Sequence, residues 1–126
     1  MKIIRLHDLP KVRASHEDVG DPGVFKQILL KRDDLDAGRI QMINWSTLLP
    51  GKSFRSHYHE AMDEVFIVLD GEVEIAVNKE KETLGKGDAV VIPEGAVHIM
   101  KNLTDREVCY IAIGISRDPG GKTVIV

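Results

Sequence analysis

Apolar and polar positions alternate along most of this chain with a period of two, and the 3.6-residue spacing of an amphipathic helix is nearly absent. "EVEIAV" (72–77) is the plainest case: Val73, Ile75 and Val77 fall on one side of an extended backbone, Glu72, Glu74 and Ala76 on the other. Comparable runs are "KIIRL" (2–6), "FKQILLK" (25–31), "RIQMINWSTL" (39–48), "FRSHYH" (54–59), "EVFIVL" (64–69), "AVVI" (89–92), "VHIMKN" (97–102), "EVCYIAIGI" (107–115) and "KTVIV" (122–126). Gly, Pro, Asn and Asp interrupt them at short intervals, and short strands with frequent turn signals predict an all-β sandwich or barrel. "DG" at 70–71 predicts a tight hairpin, and "NKEKETLGKGD" (78–88) reads as a charged turn. The polar segment "KVRASHEDVGDPG" (11–23) reads as a surface loop, and "KRDDLDAGR" (31–39) as a solvated hairpin connection.

Composition narrows the function classes. At 126 residues the chain is expected to form one domain, residues 1–126, large enough to bury a proper core. A net charge of −3, without clustered Lys or Arg, argues against a nucleic-acid or anionic-membrane surface. No apolar run reaches transmembrane length, and "MKIIRLHDLPKVR" is too short in its apolar part and too charged for a signal peptide. Cys109 is the sole cysteine, so no internal disulfide forms, and a reduced, cytoplasmic setting is expected.

The candidate chemistry lies in two blocks. In the first, Gly51 is followed by His57, His59, Glu64 and Gly71; in the second, Gly87 is followed by Pro93, Gly95, His98 and Asn102. Alternate positions place both imidazoles of His57 and His59 on one face of a strand, with Tyr58 on the other. "EAMD" (60–63) is long enough to turn the chain, so that Glu64 opens an adjacent antiparallel strand opposite the histidines. "PEG" (93–95) reverses the chain ahead of a fresh strand starting at His98.

Position for position, the blocks at 51–71 and 87–102 resemble the two signature motifs of the cupin superfamily, in its small conserved-barrel form. The resemblance implies a double-stranded β-helix, or jelly-roll barrel, with a metal held by His57, His59, Glu64 and His98. Three imidazoles and one carboxylate suit a divalent first-row transition ion and are too nitrogen-rich for calcium or magnesium. Iron or manganese is expected, and zinc, nickel, cobalt or copper is compatible with the donors. A homodimer is also implied, with "KIIRL" or "KTVIV" supplying an added edge strand.

Around this set, strand parity places Arg55 on the side of His57 and His59, where it would hold an anionic substrate group. Phe66, Val68 and Met100 share parity with the neighbouring ligands and would line an apolar substrate pocket. Glu60 and Asp63 fall in the turn and are assigned to solvent, His7 and His16 to the surface, and Cys109 to a packed strand. The four motif glycines read as turn residues and Asn102 as structural. No general acid or base stands apart from the ligands. Fold and ligands do not fix a reaction. The leading expectation is a small dioxygenase-like metalloenzyme that chelates a small oxygenated substrate. The alternatives are a non-catalytic sugar or metabolite binder, and a metal-dependent sugar isomerase or epimerase.

Overall fold

The computed structural model describes residues 2–35, 38–116 and 121–126. Among the described residues, eleven strands alternate with short connections: β1 (Val12–Arg13), β2 (Val24–Lys31), β3 (Ile40–Leu48), β4 (His57–Glu60), β5 (Asp63–Val68), β6 (Glu72–Val77), β7 (Glu80–Gly85), β8 (Ala89–Ile92), β9 (His98–Asn102), β10 (Val108–Ile115) and β11 (Lys122–Ile125). They form two antiparallel sheets, one ordered β1-β2-β3-β10-β5-β8 and the other β11-β4-β9-β6-β7. The only helical pieces among the described residues are two 3-10 turns, Leu6–Asp8 and Arg32–Asp34, and no helix is long and apolar enough to cross a membrane. The chain has the jelly-roll architecture.

The register explains where the core ends and a cavity begins. Across the first sheet, Val24, Leu48 and Val108 stand opposite one another as a fully buried apolar row. The next inward row is Lys26, Ser46, Tyr110 and Val68, and the one after it Ile28, Asn44, Ala112, Phe66 and Val90. Beyond these come Met42, Gly114, Glu64 and Ile92. The inner face therefore passes from wholly apolar to mixed polar along the strands. From the other sheet, Val73, Ile75 and Met100 close the apolar end together with Phe54. The tight hairpin expected at "DG" is instead a crossing between sheets, from β5 in one to β6 in the other. Gly71 makes the turn at φ 72°, and an added Cβ there would lie 2.6 Å from Val108 Cγ2. Only glycine fits that backbone and that space.

Several expectations change. "KIIRL" forms no strand: the Gln27 amide, on the outer face of β2, donates to the Leu6 and Leu9 carbonyls and holds this segment against the sheet in irregular form. "KTVIV" becomes β11, pairing within the chain with β4. The "charged turn" contains a full strand, β7, whose side chains are largely exposed because it is the edge of its sheet. Alternating Glu and Lys there carry no apolar period to betray a strand, and charge on an edge discourages edge-to-edge pairing. The segment 11–23 contributes β1 and then packs inward, burying Ala14, Glu17 and Gly23. Within 31–39, Arg32–Asp34 forms a 3-10 turn, while Asp36 and Ala37 lie outside the described residues.

Candidate metal centre

His57 and His59 lie on the inner face of β4, and His98, the first residue of β9, pairs directly across from His57 in the same sheet. Glu64 comes from β5, which belongs to the facing sheet. The expected hairpin between the histidines and Glu64 is thus a crossing between sheets, turning through Ala61 at φ 60°. His98 is the lateral neighbour of His57, on the strand beside β4. All four side chains are buried, and one potential ligand atom from each lies within 4.8 Å of the others.

Hydrogen bonds on the far side of each ring settle which nitrogen faces the cluster. Nδ1 of His57 contacts the Arg55 carbonyl at 2.5 Å, Nδ1 of His98 the Ala96 carbonyl at 2.9 Å, and Nδ1 of His59 the Thr123 hydroxyl at 3.1 Å. A carbonyl only accepts, so His57 and His98 carry their proton on Nδ1, and the Nε2 lone pair is the free one. His59 Nε2 lies 3.1 Å and His98 Nε2 3.2 Å from Glu64 Oε1. His98 Nε2 is fully buried and makes no hydrogen bond. The approach to Glu64 is ion-pair distance alone, with a lone pair facing a carboxylate oxygen. Buried polar atoms are rarely left this way, and a cation between them resolves the clash. The residues fit a metal.

Electrostatics agree. Burial, reinforced by the neighbouring His16, pushes the His57 imidazole down to about 3. Burial would raise the Glu64 carboxyl, but its hydrogen bond to His59 and its charge interactions with His59 and His98 outweigh that and hold it at about 2. At neutral pH these groups are an unprotonated imidazole and a carboxylate, the forms that ligate. The nitrogen-rich set favours a divalent transition ion.

The cluster opens on a cavity of about 190 Å³ lined by β2, β3, β5, β10 and the segment after β1. Phe66 lines it, as expected, with its ring 6.0 Å from that of His98. Met100 and Val68 do not: both are fully buried in the apolar core below. Arg55 is a correction. Phe54 and His57, three residues apart, both point inward, so the parity argument fails through the irregular stretch before β4. Arg55 is exposed and pairs with Asp18 at 3.1 Å.

His16 is a second correction. Its ring lines the cavity and stacks on His57, with centroids 4.2 Å apart and 19° between planes. Buried Glu17 holds it there: one carboxylate oxygen accepts from Gly23 N at 2.8 Å, the other from Arg55 N at 2.9 Å while contacting His16 Nδ1 at 2.9 Å. Burial lowers the His16 pKa despite Glu17. A histidine on a loop 41 positions before its neighbour carries no local signal. Lys26, Asn44 and Ser46 on the opposite wall were also missed, although Lys26 holds an inward parity position in β2. Glu60 and Asp63 are exposed, and Cys109 contacts Thr47 at 3.8 Å, as expected. The motif glycines all have positive φ, and buried Asn102 ties together the Leu48 and Arg106 carbonyls and Thr104.

Known proteins resemble this chain in sequence or in fold. A mannose-1-phosphate guanylyltransferase from Salmonella typhimurium is 34% identical over 74 residues, 57% of this chain but only 15% of that protein. Among solved structures, a predicted oxalate decarboxylase from Thermotoga maritima superposes with a TM-score of 0.80 at 23% identity, covering 91% of this chain and 99% of that one. A sugar phosphate isomerase from Silicibacter pomeroyi gives 0.78 at 20% identity, covering 99% and 82%. At such identities these two show the fold alone. The family model described as "Cupin domain" matches residues 44–114, more than half of the sequence and both motifs, and the chain belongs to the cupin family.

Proposed function

We propose that this protein is a metal-dependent enzyme that chelates a small oxygenated substrate and oxidises it with dioxygen. His57, His59, Glu64 and His98 hold a divalent transition ion, iron or manganese. The observation that carries this reading is the His98 Nε2 lone pair, orphaned in a buried four-donor cluster whose open side faces a cavity. When bound, such an ion supplies Lewis acidity and free coordination positions for substrate oxygens and dioxygen. The chain's own residues supply the rest. Nδ1 hydrogen bonds orient the three imidazoles, Phe54 and Phe66 exclude water from one side, and the cavity volume limits the substrate to a small molecule. The predicted oxalate decarboxylase fold neighbour is consistent with a small oxygenated acid, though it bears only on the fold.

A second reading, isomerisation or epimerisation without dioxygen, is favoured by one observation: His16, held by Glu17 and not a member of the donor set, borders the same cavity. Metal analysis of purified protein with an oxygen-electrode screen of hydroxy acids, 2-oxo acids, diketones and enediols separates these. About one equivalent of iron or manganese and substrate-dependent oxygen uptake are expected. Anaerobic turnover of the same substrate overturns oxidation in favour of isomerisation, and stabilisation by a ligand without turnover overturns catalysis. Replacing His57, His59 or His98 by Ala is expected to abolish stoichiometric binding; undiminished affinity refutes the site.

A further inference from the structure

The wall facing the metal centre is built by β2, β3 and β10, and it carries polar groups that neither motif contains. Lys26 stands opposite Ser46, and Ser46 opposite Tyr110, whose hydroxyl is its hydrogen-bond partner. Asn44 lies two residues along β3, opposite Ala112, where a small side chain leaves space. Lys26, Asn44 and Ser46 all line the cavity.

Two of these groups are unsatisfied. Ion pairs among the described residues involve Lys2, Lys52, Arg55, Lys81 and the histidines, but not Lys26. Burial lowers the pKa of the half-buried Lys26 ammonium, and the charge of Glu64 at longer range opposes that shift. Asn44 is 6% exposed; its Nδ2 reaches Met42 Sδ at 3.5 Å, and its Oδ1 is buried without any partner. An oxygen so placed lacks a donor, and a half-buried ammonium lacks an anion.

Charge balance names the class of ligand. Glu64 is the one carboxylate among the cavity-lining residues. With a divalent ion on its four ligands, Lys26 and that ion leave two net positive charges facing each other across a small space. A neutral diol or sugar leaves the excess unbalanced, whereas a carboxylate offsets it. The cavity, at about 190 Å³, is below the roughly 300–1,000 Å³ of ordinary ligand pockets, so the acid is small.

We propose that the β2–β3–β10 wall is an anion subsite and that the cavity takes a small hydroxycarboxylate, with its carboxylate on Lys26 and its hydroxyl donating to Asn44 Oδ1. This assignment rests on the metal-centre reading above and specifies its substrate class. Lys26 supplies the anchoring charge that sequence parity had assigned to Arg55.

The test is calorimetric titration of manganese-loaded protein with glycolate, with ethylene glycol as the neutral counterpart and oxalate as an acid without a hydroxyl. Wild type is expected to bind glycolate and to bind ethylene glycol far more weakly. Lys26→Met is expected to weaken glycolate about 10–100-fold, the scale of a hydrogen bond to a charged group, while keeping one equivalent of manganese. Lys26→Arg retains most of the affinity, and Asn44→Leu weakens glycolate more than oxalate. Glycolate bound no better than ethylene glycol, or bound equally by Lys26→Met and wild type, overturns the subsite. If manganese does not bind wild type, the metal reading falls, and the same titrations on metal-free protein decide the subsite alone: Lys26-dependent glycolate binding sustains it, and its absence overturns it.

Discussion

Thr123 offers the sharpest test of how the metal site is held. His57 and His98 are oriented by main-chain carbonyls that no substitution removes, whereas His59 is oriented by a side chain, the Thr123 hydroxyl at 3.1 Å. Thr123 lies on β11, opposite His59 in the β4–β11 ladder, far from both motifs in sequence. With a metal on Nε2 of His59, Nδ1 carries the ring proton and the Thr123 hydroxyl accepts it. Thr123→Val keeps the branched shape and deletes that acceptor. A neutral hydrogen bond contributes about 0.5–1.5 kcal/mol. Lost hydrogen bonds behind metal ligands typically cost about 10–100-fold in metal affinity. Thr123 is partly exposed and water can substitute, so the lower end, about tenfold, is expected. The fold should suffer little. Unfolding entropy of about 2.1 cal/mol/K per residue gives ~0.26 kcal/mol/K for 126 residues. A loss of about 0.5–1 kcal/mol then lowers the Tm by about 2–4 °C. Competition titration with a chromophoric chelator measures the affinity and calorimetry the Tm, with Thr123→Ser as the variant that restores the hydroxyl. Unchanged affinity in Thr123→Val, or equal weakening in Thr123→Ser, refutes the reasoning.

Other outcomes follow from the same structure. Asn102→Ala removes a fully buried amide with four hydrogen bonds to Leu48, Arg106 and Thr104, and should cost about 2–4 kcal/mol, a Tm drop of roughly 8–15 °C by thermal denaturation. Metal-free protein should lose stability as pH falls. The His57 value is depressed from 6.5 to about 3 and the Glu64 value from 4.5 to about 2, so the unfolded chain binds more protons in both windows. Loss should therefore begin near pH 6.5 and steepen below 4.5, with a slope of up to about 1.4 kcal/mol per pH unit per group. A Tm unchanged between pH 7.5 and 4.5 contradicts the depressed His57 value. Arg55→Ala should leave metal content and glycolate binding unchanged and shift stability by less than about 1 kcal/mol, since its pair with Asp18 is exposed; impaired ligand binding would show that the side chain turns inward.

What could be read from the chain and what could not divide along one line. The candidate ligands His57, His59, Glu64 and His98 and the structural Asn102 were legible through the resemblance of two motifs. The shared face of His57 and His59 and the glycine turns were legible through spacing alone, because strand parity and positive-φ turns are local properties. The strands β2–β6 and β8–β11 were visible for the same reason, as half-buried runs with an apolar period. β7 was not, since an exposed edge strand has no apolar face to reveal it. Arg55 was misplaced because parity holds only while a strand stays paired, and residues 54–56 precede β4.

Sequence alone determined that this is an all-β protein carrying four candidate metal-ligand side chains in two motifs. The tertiary structure decided that Glu64 reaches those histidines from the facing sheet, that His16 and Glu17 fold over the site, and that Lys26 and Asn44 face it from the other wall. The reason is physical. Local spacing sets which way a side chain points relative to its own strand, but which side chains share a cavity depends on pairings between strands distant in the chain, and those are chosen by the packing of the whole interior.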